Sequence, residues 1–248
     1  MTLNAGILVI GSLYWGIEPH RIKWRKARLD LNGEFYVSAP IRYGRKSCKR
    51  SNTYTMVFSQ LCQRNNEWGQ AIVIPCQQQP MSSYDHLILE AKQLWWAEQS
   101  NDPGESDVGV AKNWGCVALL INPKGQGLPP AWHDEWRKTV HEAGQPYGRL
   151  KCATGEIPIV DASGFLKIDW PKTVDSAKSS QLQALDLLLA TANEPCLVQG
   201  QYPTPETVAN AWIKAPKEAR YFRQNQKYGI ETFQDKSINA LLSAAGVP

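Results

Sequence analysis

The chain has 248 residues, 43% hydrophobic and 20% charged, and 27 Lys and Arg against 23 Asp and Glu give a net charge of +4. A chain of this size buries roughly 70–75% of its unfolded surface, so it needs no disulfide or metal to hold a core. The near balance of charge excludes a disordered polyelectrolyte, and no apolar run reaches the roughly 20 residues of a transmembrane helix. The start, MTLNAGILVIG, has no basic residue of the kind that opens a secretory leader. The six cysteines are scattered without a C-x-x-C pair, which favours free thiols in the cytoplasm over a zinc knuckle or a redox motif.

In chain order, Gly6–Ile10 is an apolar, β-branched strand, and Glu34–Ser38 and Thr53–Ser59 alternate as half-buried strands do. Gln70–Cys76 and Cys116–Asn122 are continuous apolar runs of strand length, each preceded by a Trp-Gly pair, and are expected to be central strands carrying Cys76 and Cys116 as buried thiols. A helix is expected over Ser83–Gln99, capped by a serine and with Asp85 in its first turn. At about 100° per residue, Leu94 and Glu98 lie within about 20° of Leu87 on its apolar face, and Glu90 lies about 60° away. Residues 100–113 are polar and glycine-containing, hence a loop. Pro129-Pro130 opens a second helix that Gly144 ends. Residues 145–172 suggest short strands and turns. The spacing of Leu182, Leu185, Leu188 and Leu189 predicts a helix over Ser179–Ala192. Thr204-Pro205-Glu206 starts another, and residues 216–246 continue as helix. The expectation is an α+β protein: a β-rich domain over 1–172 with a mixed, barrel-like sheet and flanking helices, then a mainly helical part over 173–248.

Residues 1–50 hold ten Lys and Arg against three Asp and Glu. The excess falls in two clusters, Arg21–Arg28 and Arg42–Arg50, with Trp24 and Tyr43 among them. Such clusters can bind a phosphate backbone with stacking, form a solvated face, or steer an anionic substrate into a cleft; a nucleic-acid domain would be more basic overall. His133 and His141 are eight residues apart, outside the spacing for joint metal ligation on a helix. No phosphate-loop, dinucleotide or nucleophile-elbow motif occurs, so no metal or cofactor is expected.

The first strand ends in Gly11-Ser12-Leu13, a turn whose glycine lets backbone amides approach an anion. With Ile10-Gly11-Ser12-Leu13, then Trp68-Gly69 before a strand, then Tyr84–Glu90 on a helix, residues 5–121 resemble the gamma-glutamylcyclotransferase-like family. Ile10 stands where that family has Tyr, with Tyr14 just downstream, and no Gly follows Glu90.

The resemblance implies that a substrate's own amine attacks its γ-glutamyl carbonyl to give 5-oxoproline and a free amine. Holding the chain folded supplies much of the rate, and one carboxylate can carry the proton from the attacking to the leaving nitrogen. The implied acid/base is Glu90, with Glu98 as rival. Gly11, Ser12, Leu13 and Tyr14 would hold the substrate's carboxylate, and Arg42 would pair with it. The partner is then a carboxylate-bearing small molecule. The alternative is a non-catalytic module of the same fold that binds nucleic acid or an acidic protein through the basic clusters.

Overall fold

The computed structural model describes residues 2–99 and 109–247. Its strands are β1 (Ala5–Val9), β2 (Phe35–Ala39), β3 (Ile41–Ser47), β4 (Thr53–Phe58), β5 (Gly69–Pro75), β6 (Ala111–Lys112), β7 (Gly115–Ile121), β8 (Lys172–Thr173) and β9 (Leu187–Asn193). Its helices are α1 (Ser12–Trp15), α2 (Pro19–Arg28), α3 (Gln60–Arg64), α4 (Tyr84–Glu98), α5 (Pro130–Ala143), α6 (Ser179–Gln183), α7 (Pro205–Lys214), α8 (Arg220–Lys227) and α9 (Asp235–Ala244). Among the described residues, seven strands form one mixed sheet in the order β6-β7-β9-β1-β5-β2-β8, and β3 and β4 form a separate antiparallel pair. The architecture is α+β. Of the expected loop over 100–113, residues 100–108 lie outside the described residues, and Ala111–Lys112 pairs with β7.

The sheet is open, which corrects the expectation of a barrel. Its edges, β6 and β8, are two residues long and offer no ladder along which the sheet could close. Pro40 has no N–H to donate to a ladder. It sits between β2 and β3, and the chain leaves the sheet there to form the β3–β4 pair.

The helix expected over Ser179–Ala192 is a second correction. Only Ser179–Gln183 is helical, and Leu187–Asn193 is a strand at the centre of the sheet. It runs parallel to β1, with Ala5 opposite Leu187 and Leu8 opposite Ala190, and antiparallel to β7. Both α4 and β4 pack on it, so six of its seven residues are buried. The chain beyond residue 172 thus returns to the sheet before it turns helical. β4 differs in degree: all six of its residues are buried, where alternation suggests half.

The Trp-Gly pairs have a steric cause. A Cβ on Gly69 would lie 2.4 Å from the Glu231 carbonyl oxygen, and one on Gly115 would lie 2.7 Å from that of Ala192. Both strands therefore start where another backbone passes too close for a side chain. Helix α4 starts as the sequence indicates, with the Ser83 hydroxyl accepting from the His86 N–H at 3.3 Å. Cys76 and Cys116 are buried free thiols, and burial pushes both well above the ordinary thiol range.

Asp235, 4% exposed, opens α9. Its Oδ1 accepts from the Thr232 N–H at 2.9 Å and the Thr232 hydroxyl at 2.6 Å, while its Oδ2 is buried without a partner. Burial pushes its carboxyl up to about 7, with Glu231 adding to the rise and the Thr232 hydrogen bonds opposing it. A folded value above the unfolded one means stability that is fully present below about pH 4 and is lost as pH rises to about 7. Between pH 5 and pH 8 the wild type is expected to lose about 2–3 kcal/mol more than Asp235→Asn, which keeps the Oδ1 acceptor and cannot ionise. Urea unfolding of both proteins at the two pH values measures this, and equal losses would refute it.

Candidate functional site

β1 and β9 are the parallel pair of the sheet, and both end at a cavity of about 400 Å³. The crevice outside the carboxyl ends of parallel strands is where open sheets bind ligands, and the volume suits a small molecule. Ile10, Ser12 and Leu13 form the wall that follows β1, and Thr191 and Asn193 of β9 form the next. Residues 45–50 close it from the β3–β4 pair, Tyr221 from α8, and Glu98 from the end of α4.

The turn after β1 is held by arginines from α2. Arg25 donates to the carbonyls of Leu13 at 2.8 Å and Gly16 at 2.6 Å, and burial lowers the affinity of its guanidinium for its proton. Arg21 donates from Nε to the Ala97 carbonyl at 3.0 Å and from Nη1 to the Ser12 hydroxyl at 3.1 Å, with Glu18 3.5 Å away. Arg50 reaches the same hydroxyl with Nη2 at 3.3 Å, and its guanidinium lies 4.7 Å from the centre of the Tyr221 ring. Ser12 Oγ thus accepts from two guanidiniums, which leaves its own hydrogen to donate. Residues 21, 25 and 28 lie within about 60° on a helix wheel, and Arg28 is tied to Glu90. Three of the five cations of the first basic cluster therefore face inward, and Lys23 and Lys26 are exposed.

Gly11 has φ +101°, in the region that favours glycine, and a Cβ there would lie 2.4 Å from the Tyr221 hydroxyl. Gly11→Ala is expected to cost about 1–3 kcal/mol through backbone strain and this contact. Adding Tyr221→Phe should recover the steric part in a double-mutant cycle of urea unfolding. A cost below 0.5 kcal/mol, roughly the scatter of a surface substitution, would mean that the turn relaxes freely.

On the same cavity, the Glu98 carboxylate, 13% exposed, lies 3.9 Å from Arg45 Nη1 and accepts from Asn193 Nδ2 at 3.5 Å. The Arg45 guanidinium stacks 4.3 Å from the centre of Trp114, whose ring packs 4.9 Å from Trp95. This column fixes Arg45 beside Glu98, and burial lowers the proton affinity of Arg45. The cavity therefore carries two guanidiniums at Ser12 and a carboxylate at Glu98.

The structure brings some of the sequence candidates together and separates others. Ser12 and Leu13 line the cavity and Gly11 shapes the turn, whereas Glu90, Tyr14 and Arg42 do not line it. Glu90 is 1% exposed and pairs with Arg28, with His86 Nε2 3.5 Å away. The Tyr14 hydroxyl donates to Glu34 at 2.7 Å, and burial with that carboxylate drives it well above the ordinary phenol range. Arg42 lies near the start of β3, and its guanidinium faces the rings of Tyr202 at 4.5 Å and Phe233 at 5.4 Å. Arg45 and Arg50 were visible only as members of a basic cluster. Asn193 and Tyr221 carry no local signal and join the site through the return of β9 and the docking of α8.

No protein-family model, curated protein or solved structure matches the chain. Among the described residues, no helix is long and apolar enough to cross a membrane.

Proposed function

We propose that the protein binds a zwitterionic γ-glutamyl compound in this cavity and cyclises it to 5-oxoproline, with Glu98 as the acid/base. The observation that carries the reading is the placement of the Glu98 carboxylate on the same small cavity as the Ser12 turn with its two arginines. A γ-glutamyl head has an α-carboxylate and an α-ammonium, and the cavity has a group of opposite charge for each.

The α-carboxylate docks on the Ser12 hydroxyl and Arg21, with charge-assisted hydrogen bonds. The α-ammonium faces Glu98. Glu98 takes one proton from it, and the freed amine attacks the γ-carbonyl carbon. The lactam C–N bond forms, Glu98 gives its proton to the leaving nitrogen as the bond to it breaks, and Glu98 then carries the second proton from the lactam nitrogen to the released amine, which leaves as an ammonium. Atoms and protons balance with no further reagent. Much of the barrier is met by holding the two ends of the head in one folded pose.

The test is release of 5-oxoproline, followed by mass spectrometry, across a panel of γ-glutamyl amines and peptides. Turnover that depends on Glu98 supports the reading, and no turnover on any member removes it. The exposure of Lys46 and Lys49 at the β3–β4 turn favours, as a second reading, a module that binds an anionic partner there without chemistry.

A further inference from the structure

We infer that the leaving half of the ligand ends in a phosphate, seated on Arg50 and Lys46. This rests on the reading that the cavity holds a γ-glutamyl head, and it concerns the other half of the same molecule.

Charge leads to it. Among the described residues the cavity is lined by five cations, Arg21, Arg45, Lys46, Lys49 and Arg50, and by two carboxylates, Glu18 and Glu98. Each carboxylate stands beside one arginine, Glu18 at Arg21 and Glu98 at Arg45. Arg50 has a neutral hydroxyl and a tyrosine face as its neighbours, and the Lys46 ammonium lies 5.6 Å from the centre of the Tyr54 ring. A γ-glutamyl head has a carboxylate and an ammonium and no net charge, so its binding brings no net negative charge to Arg50 and Lys46. The rest of the ligand has to bring the compensating negative charge, and a phosphate monoester brings close to two.

Geometry agrees. With its face on Tyr221 and one Nη on Ser12, the Arg50 guanidinium presents its remaining N–H groups edge-on, the fork that phosphate oxygens match. Lys46 adds a point charge from the same turn. The volume of about 400 Å³ holds a γ-glutamyl head together with a short phosphorylated amine.

Pyrophosphate and acetate, titrated into the full-length protein at matched ionic strength by calorimetry, provide the probes. Pyrophosphate is expected to bind and acetate not, with affinity falling about 10–100-fold in Arg50→Gln. Lys46→Ala, at an exposed position where folding is not at stake, is expected to weaken it by a smaller factor. Equal binding of the two probes, or pyrophosphate affinity unchanged in both variants, overturns the inference. A single-stranded oligonucleotide that displaces pyrophosphate at lower concentration also overturns it, because the phosphate then belongs to a nucleic acid. Pyrophosphate binding that depends on Arg50, in a protein that releases no 5-oxoproline, upholds the phosphate seat and removes the cyclisation. Turnover of simple γ-glutamyl amines without pyrophosphate binding does the reverse.

Discussion

Glu98→Gln is expected to lower the rate of 5-oxoproline release by roughly 10²–10⁴-fold, the usual contribution of a positioned acid/base. Glutamine keeps the length of the side chain and can still meet Asn193, but it cannot accept the ammonium proton. The loss should fall on kcat, since proton transfer belongs to the chemical step. Glu90→Gln is the companion measurement. Glu90 does not line the cavity and is bound to Arg28, so turnover per folded molecule should stay within a few-fold of wild type. Undiminished turnover in Glu98→Gln would remove Glu98 from the chemistry. A large loss in Glu90→Gln alone would move the proton carrier there.

The choice between these two carboxylates shows where a one-dimensional reading stops. A helix wheel places both on or beside the apolar face of α4, and both are in fact shielded from solvent. The wheel discards the axial coordinate. Eight residues separate Glu90 from Glu98, about 12 Å along the helix, and only the last turn of α4 reaches the cavity. The partner that neutralises Glu90 comes from α2, 62 positions away, at a distance where no periodicity connects the two.

The strands were legible where local pattern and burial agree. β1, β2, β5 and β7 fall within a residue or so of their apolar runs, and α4, α5 and α7 start at their Ser or Pro signals. β9 was lost because packing on both faces makes Leu187–Ala190 a continuous apolar run, and Leu182, Leu185, Leu188 and Leu189 then mimic a helical stripe. The run LDLLLATAN is also what a doubly buried strand next to a parallel partner looks like. Missing β9 also hid the site, since the parallel β1–β9 pair defines the end of the sheet where the cavity lies. The turn at Gly11–Leu13 was readable from its glycine, but the positive charge around it comes from Arg21 and Arg50, which converge on Ser12 from α2 and from the β3–β4 turn.

Arg28→Met should destabilise the fold by about 3–5 kcal/mol, the cost of leaving a buried charge without its partner. Arg28 grips Glu90 with two nitrogens: Nε donates to Oε2 at 3.2 Å and Nη2 to Oε1. Their side chains are 14% and 1% exposed, so water cannot take over the carboxylate when the guanidinium is gone. His86, 3.5 Å from Oε1, is the basic neighbour that remains. The Cys76 thiol feels the same pair: burial raises its proton affinity most, Glu90 adds to the rise and Arg28 opposes it. Methionine fills much of the arginine's volume, so the loss measures charge more than packing. The double variant Arg28→Met, Glu90→Leu removes both charges and should recover most of the stability, because a buried pair replaced by apolar groups of similar size is often close to neutral. Urea unfolding of the wild type, both single variants and the double variant closes the cycle. A single-variant cost below about 1 kcal/mol would place the pair among solvent-screened bridges. A double variant no more stable than Arg28→Met would mean that the arginine acts through packing between α2 and α4. With Glu90 committed to joining these two helices and Asp85 exposed, Glu98 is the α4 carboxylate that lines the cavity.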